Sequence, residues 1–290
     1  MVIVCQFLIN ADDLGYCKER DDGIIECITN GTVKNVSLLV NGSSAVYAAE
    51  KIRELVNKFE VTIGLHLNFT EGKPITQNLH TLVDQNNEML GKFGFREALA
   101  QNKISSHEIQ LETRAQIKLY KKLIQRDDGG NVHFHFDSHQ HVHVLPQIAN
   151  LITEIFYEEG FKTARIPSYI LDSKNLSPFL QNVVNQAQLV KNEYLKYFKS
   201  TNYFIGLDLM DYPSVNVLLQ NLEALLMNQN DNSNNISIEW MCHPGYRSID
   251  YGDDFSRSQC RETEKKFLLS QELSNFLASF PFEISSWSKL

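Results

Sequence analysis

The sequence predicts an α/β barrel, and three observations carry that prediction. Short strand-like runs alternate with longer helical patterns from end to end, the signature of a parallel α/β architecture. The runs are apolar on one parity only, whereas an open, doubly wound sheet is apolar on both faces. Their polar residues also fall late in each run, and the carboxyl ends of the strands are where a barrel carries its site.

The first strand is Val4–Ile9. The stretch from Met1 to Ile9 is apolar but too short to cross a bilayer, has no basic n-region and runs straight into an acidic pair, so it reads as a core strand. A second strand, Val36–Val40, sets Val36, Leu38 and Val40 against Asn35, Ser37 and Asn41. In the third, Val61–Leu67, the residues Thr62, Gly64, His66 and Asn68 share the polar face. The stretch from Glu71 to Ser106 is longer than an ordinary connection, carries Gly72, Pro74, Gly91 and Gly94, and follows directly after His66. It is placed to form a wall or lid (71–106) over the site. Ser105 and Glu108 have capping-box spacing ahead of a helix with Ile117, Tyr120, Leu123 and Ile124 on its apolar face. Further strands follow at Val132–Asp137, Thr163–Ile166, Tyr203–Leu207, Ile236–Met241 and Phe282–Ser286. The asparagine-rich run from Asn228 to Asn235 reads as a polar surface loop. With no repeat and no linker, residues 1–290 are expected to form a single domain.

At 290 residues and 43% hydrophobic the chain can bury a large core, and a formal charge of -8 argues against nucleic acid or an anionic membrane as partner. Five cysteines, an odd number without a C-x-x-C pair, point to a reducing compartment and a cytoplasmic location.

Five of the nine histidines fall between His133 and His143. Imidazole and carboxylate at close spacing are what a divalent metal site is made from. Along an extended strand His133, His135, Asp137 and His139 share one face. A helix starting at Ser138 would stack His139 and His143 at i, i+4. Asp12 and Asp13 end the first strand, where a strand-to-loop bend lets both reach one site, one binding metal and the other a water. Asp13, His66 and one of His139, His141 and His143 would give a carboxylate and two imidazoles, leaving positions open for water and substrate. Arg165 shares parity with Thr163 and can hold a carboxylate. His243 ends a strand before Pro244-Gly245, and Cys242 falls on the outward parity as a packing residue.

The set Asn10-Ala11-Asp12-Asp13-Leu14-Gly15, Leu39-Val40-Asn41-Gly42, Gly64-Leu65-His66-Leu67, Gly72-Lys73-Pro74, Asp137-Ser138-His139-Gln140-His141-Val142-His143 and Met241-Cys242-His243-Pro244 resembles the YdjC/ChbG family of carbohydrate deacetylases. The resemblance implies an irregular (β/α) barrel, TIM-barrel-like and related to the NodB-type polysaccharide deacetylases. It implies metal-dependent removal of the N-acetyl group from an amino sugar such as a chitooligosaccharide. Carried over by position, Asp13, His66 and His139 match the metal ligands, Asp12 the catalytic base and His243 the acid, while Arg165 matches the segment that orients the base. Leu14 stands where many members have Phe, and Gln140 where some have His. The resemblance implies magnesium, and the donor set equally suits zinc, manganese or cobalt. An acetylated sugar is the expected partner, with a homodimer left open. The metal's charge should lower the pKa of Asp12, and carboxylate neighbours should raise that of His243. Two rival readings are a barrel metallohydrolase acting on phosphoesters, which would bring more arginine or lysine to the strand ends, and a non-catalytic carbohydrate-binding homologue.

Overall fold

Eight parallel strands build one continuous curled sheet in the computed structural model, which describes residues 4–30, 32–125, 132–169, 173–210, 212–227, 235–248 and 254–290. The strands are β1 (Val4–Leu14), β2 (Asn35–Leu38), β3 (Thr62–Leu67), β4 (His135–Ser138), β5 (Thr163–Ala164), β6 (Tyr203–Ile205), β7 (Asn235–Cys242) and β8 (Phe282–Ile284). Their order is β5-β4-β3-β2-β1-β7-β6, with β8 added along the first half of β1. The outer strands β5 and β6 share no ladder; the bridges Thr163↔Lys199 and Tyr169↔Phe204 draw these edges together, so the barrel closes irregularly. Most of the asparagine-rich run, residues 228–234, lies outside the described residues. No described helix is long and apolar enough to cross a membrane.

The parity read from the sequence is the parity of the sheet. Phe7, Ile9 and Ala11 of β1, Ile63, Leu65 and Leu67 of β3, and Ile236, Ile238, Trp240 and Cys242 of β7 all join the main apolar core beneath the helices. The opposite residues fill the lumen. There Asn10, Asn35, Ser37, His66, His135, Asp137, Arg165 and Glu239 are buried together. Several sequence expectations need correction: β2 ends at Leu38 rather than Val40, β4 begins at His135 rather than Val132, and β5 ends at Ala164 rather than Ile166. Strand β1 does not stop at Ile9 but runs to Leu14, with a register shift against β2 between Ala11 and Leu14. Ser105 is the N-cap of helix α4 (Ser106–Leu123), but its hydroxyl makes no capping bond, and Glu108 does not close the box, since its carboxylate accepts from residues 80–82 while the Ser105 N–H donates to Thr81.

Ten helices are described: α1 (Lys18–Thr29), α2 (Ala45–Phe59), α3 (Gly91–Ala100), α4 (Ser106–Leu123), α5 (Pro146–Glu158), α6 (Pro178–Tyr197), α7 (Val215–Met227), α8 (Asp254–Arg257), α9 (Cys260–Leu268) and α10 (Gln271–Ser279). Proline opens both α5 and α6, where its missing N–H costs no helix bond. Caps follow the expected chemistry at Ser177 and Ser270, whose side chains accept from the N–H of Leu180 and Leu273.

Two features fix the lumen. At the amino-terminal end, His135 stacks on Trp287 with ring centroids 5.3 Å apart, and the Trp287 indole donates to Asn10. Gly64 makes room for this stack, since a Cβ there would stand 2.2 Å from His135 Nε2. The second feature is the segment after β3. Glu112 of α4 accepts from the backbone N–H of Ile75 and Thr76, and Glu108 accepts from His80, Thr81 and Leu82. The segment is therefore tied to α4 by buried carboxylates, the reason Glu108 is absent from the cap.

Candidate metal centre and active site

The bulge at the end of β1 places two adjacent carboxylates in one site. Asp13 takes a left-handed backbone, φ 66°, which breaks the strand alternation that would send neighbouring side chains to opposite faces. Asp12 and Asp13 are 2% and 1% exposed, so each needs compensating partners.

Asp13 Oδ1 lies 3.2 Å from His66 Nε2 and 2.8 Å from His139 Nδ1, bringing together one oxygen and two nitrogens from β1, β3 and the turn after β4. His66 is pre-oriented. Its Nδ1–H donates to Asp137 Oδ1 at 2.7 Å, which turns Nε2 toward Asp13, where it carries a proton unless a cation takes that proton's place. Burial works against an imidazolium here, yet Asp137 and Asp13 outweigh it and lift His66 to about 10; the acids Asp13 and Glu71 likewise lift His139 to about 9. A cluster that draws protons onto its imidazoles in this way is one that favours a cation, and its donor set and spacing fit a divalent ion. Asp13 itself, despite burial, is held well below the carboxylate range by His139 and Arg20.

Asp12 sits beside this cluster with different company. Arg165, fully buried, grips both its oxygens at 2.6 and 2.7 Å, and also reaches Asp137 at 2.9 Å and Glu239 at 2.7 Å. Burial nonetheless pushes Asp12 up, with Arg165 opposing and Asp137 assisting. Glu239, which burial lifts to about 8, relieves the charge around the single guanidinium. His243 Nε2 is 3.9 Å from Asp12 Oδ2. The expectation that carboxylates raise its pKa is overturned: burial, then Arg261, Arg20 and Arg165 push His243 well below the usual imidazole value, against a smaller opposing effect of Asp13.

The histidine run divides by backbone geometry. Residues His139–Val144 form a 3-10 turn in which Gln140 and His141 are left-handed, φ 53° and 56°, so no α-helix stacks His139 on His143. His143 instead accepts from the Ser138 hydroxyl and donates through Nε2 to the Arg165 carbonyl, and burial takes it down to about 3. It holds the backbone that carries Arg165. His141 lines the pocket, kept neutral by burial, and His133 bonds Thr163.

Several residues at this site were not singled out from the sequence. Arg20, on α1, and Arg261, on α9, bond Asp13 Oδ2 at 2.8 and 3.2 Å from positions 7 and 248 residues away. Nothing in the local pattern marks either as buried. Glu239 did carry a signal, its lumen parity within β7. Above these groups opens a cavity of about 520 Å³, polar at its floor and apolar along Leu176, Phe179, Leu180, Leu207 and Met210.

Fold and site together define an α/β barrel with a candidate metal centre at the carboxyl ends of its strands. The model of the YdjC-like protein family matches residues 6–279, and the chain belongs to that family. Among similar proteins, the carbohydrate deacetylase of Xenopus laevis is 32% identical over 98% of both chains, and that of Danio rerio 32% identical over 93% of this chain and 94% of its own. The chitooligosaccharide deacetylase of Yersinia enterocolitica is 29% identical over 97% of each. A solved Enterococcus faecalis protein, provisionally named for cellobiose-phosphate cleavage, shares the fold with a TM-score of 0.71 at 22% identity, covering 98% of both chains.

Proposed function

We propose that this chain is a carbohydrate deacetylase that hydrolyses the N-acetyl group of an amino sugar or acetylated oligosaccharide. The reading is carried by the convergence of Asp13, His66 and His139 beside a clamped Asp12, in a chain whose near-full-length relatives are named carbohydrate and chitooligosaccharide deacetylases.

Asp13, His66 and His139 would hold a divalent cation, which when bound polarises a carbonyl and acidifies a water. Asp12 takes the proton of the attacking water; Arg165 fixes both its oxygens, so its orientation is set before substrate arrives. Burial restores to Asp12 the proton affinity that Arg165 removes. His243, within 4 Å of Asp12, delivers a proton to the departing amine, a poor leaving group without one. Its low pKa makes its protonated form a strong acid. The apolar wall from Leu176 to Met210 offers faces for a sugar ring, and the cavity falls in the range of about 300–1,000 Å³ usual for small-molecule sites. Segment 71–106 contributes Lys92 to the cavity and serves as its wall.

The phosphoester reading called for further basic residues. Arg20 and Arg261 do reach the site, but their guanidinium groups bond Asp13, which counts against their serving as phosphate ligands. The family resemblance implies magnesium, and elemental analysis of the purified protein distinguishes it from zinc, manganese and cobalt. The decisive experiment is incubation with N-acetylated chitooligosaccharides, with and without chelator, scored for acetate and free amine. Chelator-sensitive release of both in equal amounts is expected; absence of release from every acetylated sugar tested overturns the reading.

A further inference from the structure

We infer that Glu71, which opens segment 71–106, is a positioning residue for His139. This rests on the reading of Asp13, His66 and His139 as ligands.

Each imidazole of the cluster lies between two carboxylates. His66 has Asp13 on Nε2 and Asp137 on Nδ1. His139 has Asp13 on Nδ1, and 3.2 Å from its Nε2 stands Glu71 Oε1. That Nε2 is buried and Glu71 is the carboxylate it meets, so Glu71 is the group placed to orient it. A carboxylate on the far nitrogen of a ligating histidine fixes the ring and raises its basicity.

Glu71 is itself fixed from every side. Its Oε2 accepts from the Tyr16 hydroxyl at 2.7 Å, and its Oε1 accepts from the Gln140 amide at 2.7 Å. Its backbone N–H donates to Asn68 Oδ1, and its carbonyl accepts from the amides of Asn68 and Asn41. Asn68 is in turn paired through its backbone with Gln116 of α4. The same segment also grips the turn after His139 from its other side: Arg96 of α3 donates to the carbonyl of Gln140 at 2.7 Å, at the first left-handed residue. His139 thus begins a turn whose backbone would not hold this shape unaided, and residues of segment 71–106 engage both the side chain and the carbonyl of its next residue.

The test is isothermal titration of metal-stripped full-length protein with Zn2+, Mn2+ or Co2+ alone. Wild type is expected to bind one ion per chain and His139→Ala to lose it. Glu71→Ala should keep the stoichiometry but weaken binding by about 10- to 100-fold, the usual cost of losing such a partner. The visible spectrum of the Co2+-loaded Glu71→Ala protein should shift with the ring's orientation. Glu108→Gln, which loosens the same segment away from His139, should bind as wild type does. If wild type and His139→Ala behave as expected while Glu71→Ala binds within threefold of wild type with an unchanged spectrum, the positioning role is overturned and the ligand assignment stands. Equal weakening by Glu108→Gln also overturns it, since the effect is then general loosening. If wild type binds no ion, or His139→Ala binds as tightly, the ligand assignment falls and the positioning role with it.

Discussion

Asp12 and Asp13 are adjacent, chemically identical and equally buried, yet the protein surrounds them differently. Asp13 faces two imidazoles on one oxygen and two guanidinium groups on the other, and is held far below the carboxylate range. Asp12 faces one guanidinium shared with two more carboxylates, and burial leaves it raised. The first arrangement makes a permanent anion for a cation to sit against; the second makes a carboxylate that can accept a proton and give it up. On the proposed reading, neighbours rather than residue type divide ligand from base.

Substitution at the two positions breaks the comparison most directly. Asp13→Ala should abolish metal retention and turnover together, whereas Asp12→Asn should retain metal and lose turnover by about 100- to 10,000-fold, the range of a lost general base. Elemental analysis after gel filtration, beside acetate release, checks both; the reverse pattern would exchange the two roles. Next in size is Arg165→Met. It leaves three buried carboxylates without their cation and should cost about 3–5 kcal/mol in chemical denaturation. Arg20→Met, on the Asp13 side, should act mainly on metal affinity, which titration separates from stability.

A subtler difference is in pH. Burial and the cations around His243 lower its pKa, so its protonated form is lost as pH rises through a value below the ordinary imidazole pKa of about 6.5. The alkaline limb of kcat/KM should lie below that of a free imidazole. Arg261→Met, removing the cation with the largest effect, should move the limb upward; an unmoved limb would show that another group sets it. The smallest effect is expected at Glu108. Burial alone would raise its pKa, but the Thr81 N–H and hydroxyl, with the N–H groups of His80 and Leu82, hold it below the usual value. A lowered carboxylate contributes stability that is present above its unfolded pKa and lost as pH falls through the folded one. Glu108→Gln should therefore cost about 1 kcal/mol at neutral pH and little in acid, read by urea denaturation at both.

Much of the fold was legible because strand parity is a local signal. Apolar residues at every second position of β1, β3 and β7 mark the helix-facing side, and Thr62, Gly64, His66, Ser237 and Glu239 mark the lumen. The candidate site was legible where its residues sit toward strand ends, as with Asp12, Asp13, His66, Arg165 and His243, which the structure brings together. It was not legible where backbone departs from regular periods. The left-handed pair Gln140 and His141 defeats any helical spacing argument between His139 and His143. Nor does a local pattern report partners distant in sequence, which is why Glu108 looked like a cap and why Arg20, Glu71 and Arg261 were not singled out as site residues.

The stack of His135 on Trp287, admitted by Gly64, stoppers the barrel below the site. Among the described residues, the cavity over Asp12 and Asp13 is then floored at that end of the barrel. On the deacetylase reading, acetate released beside Asp12 and Asp13 would leave past the sugar, so a lingering sugar would delay both products.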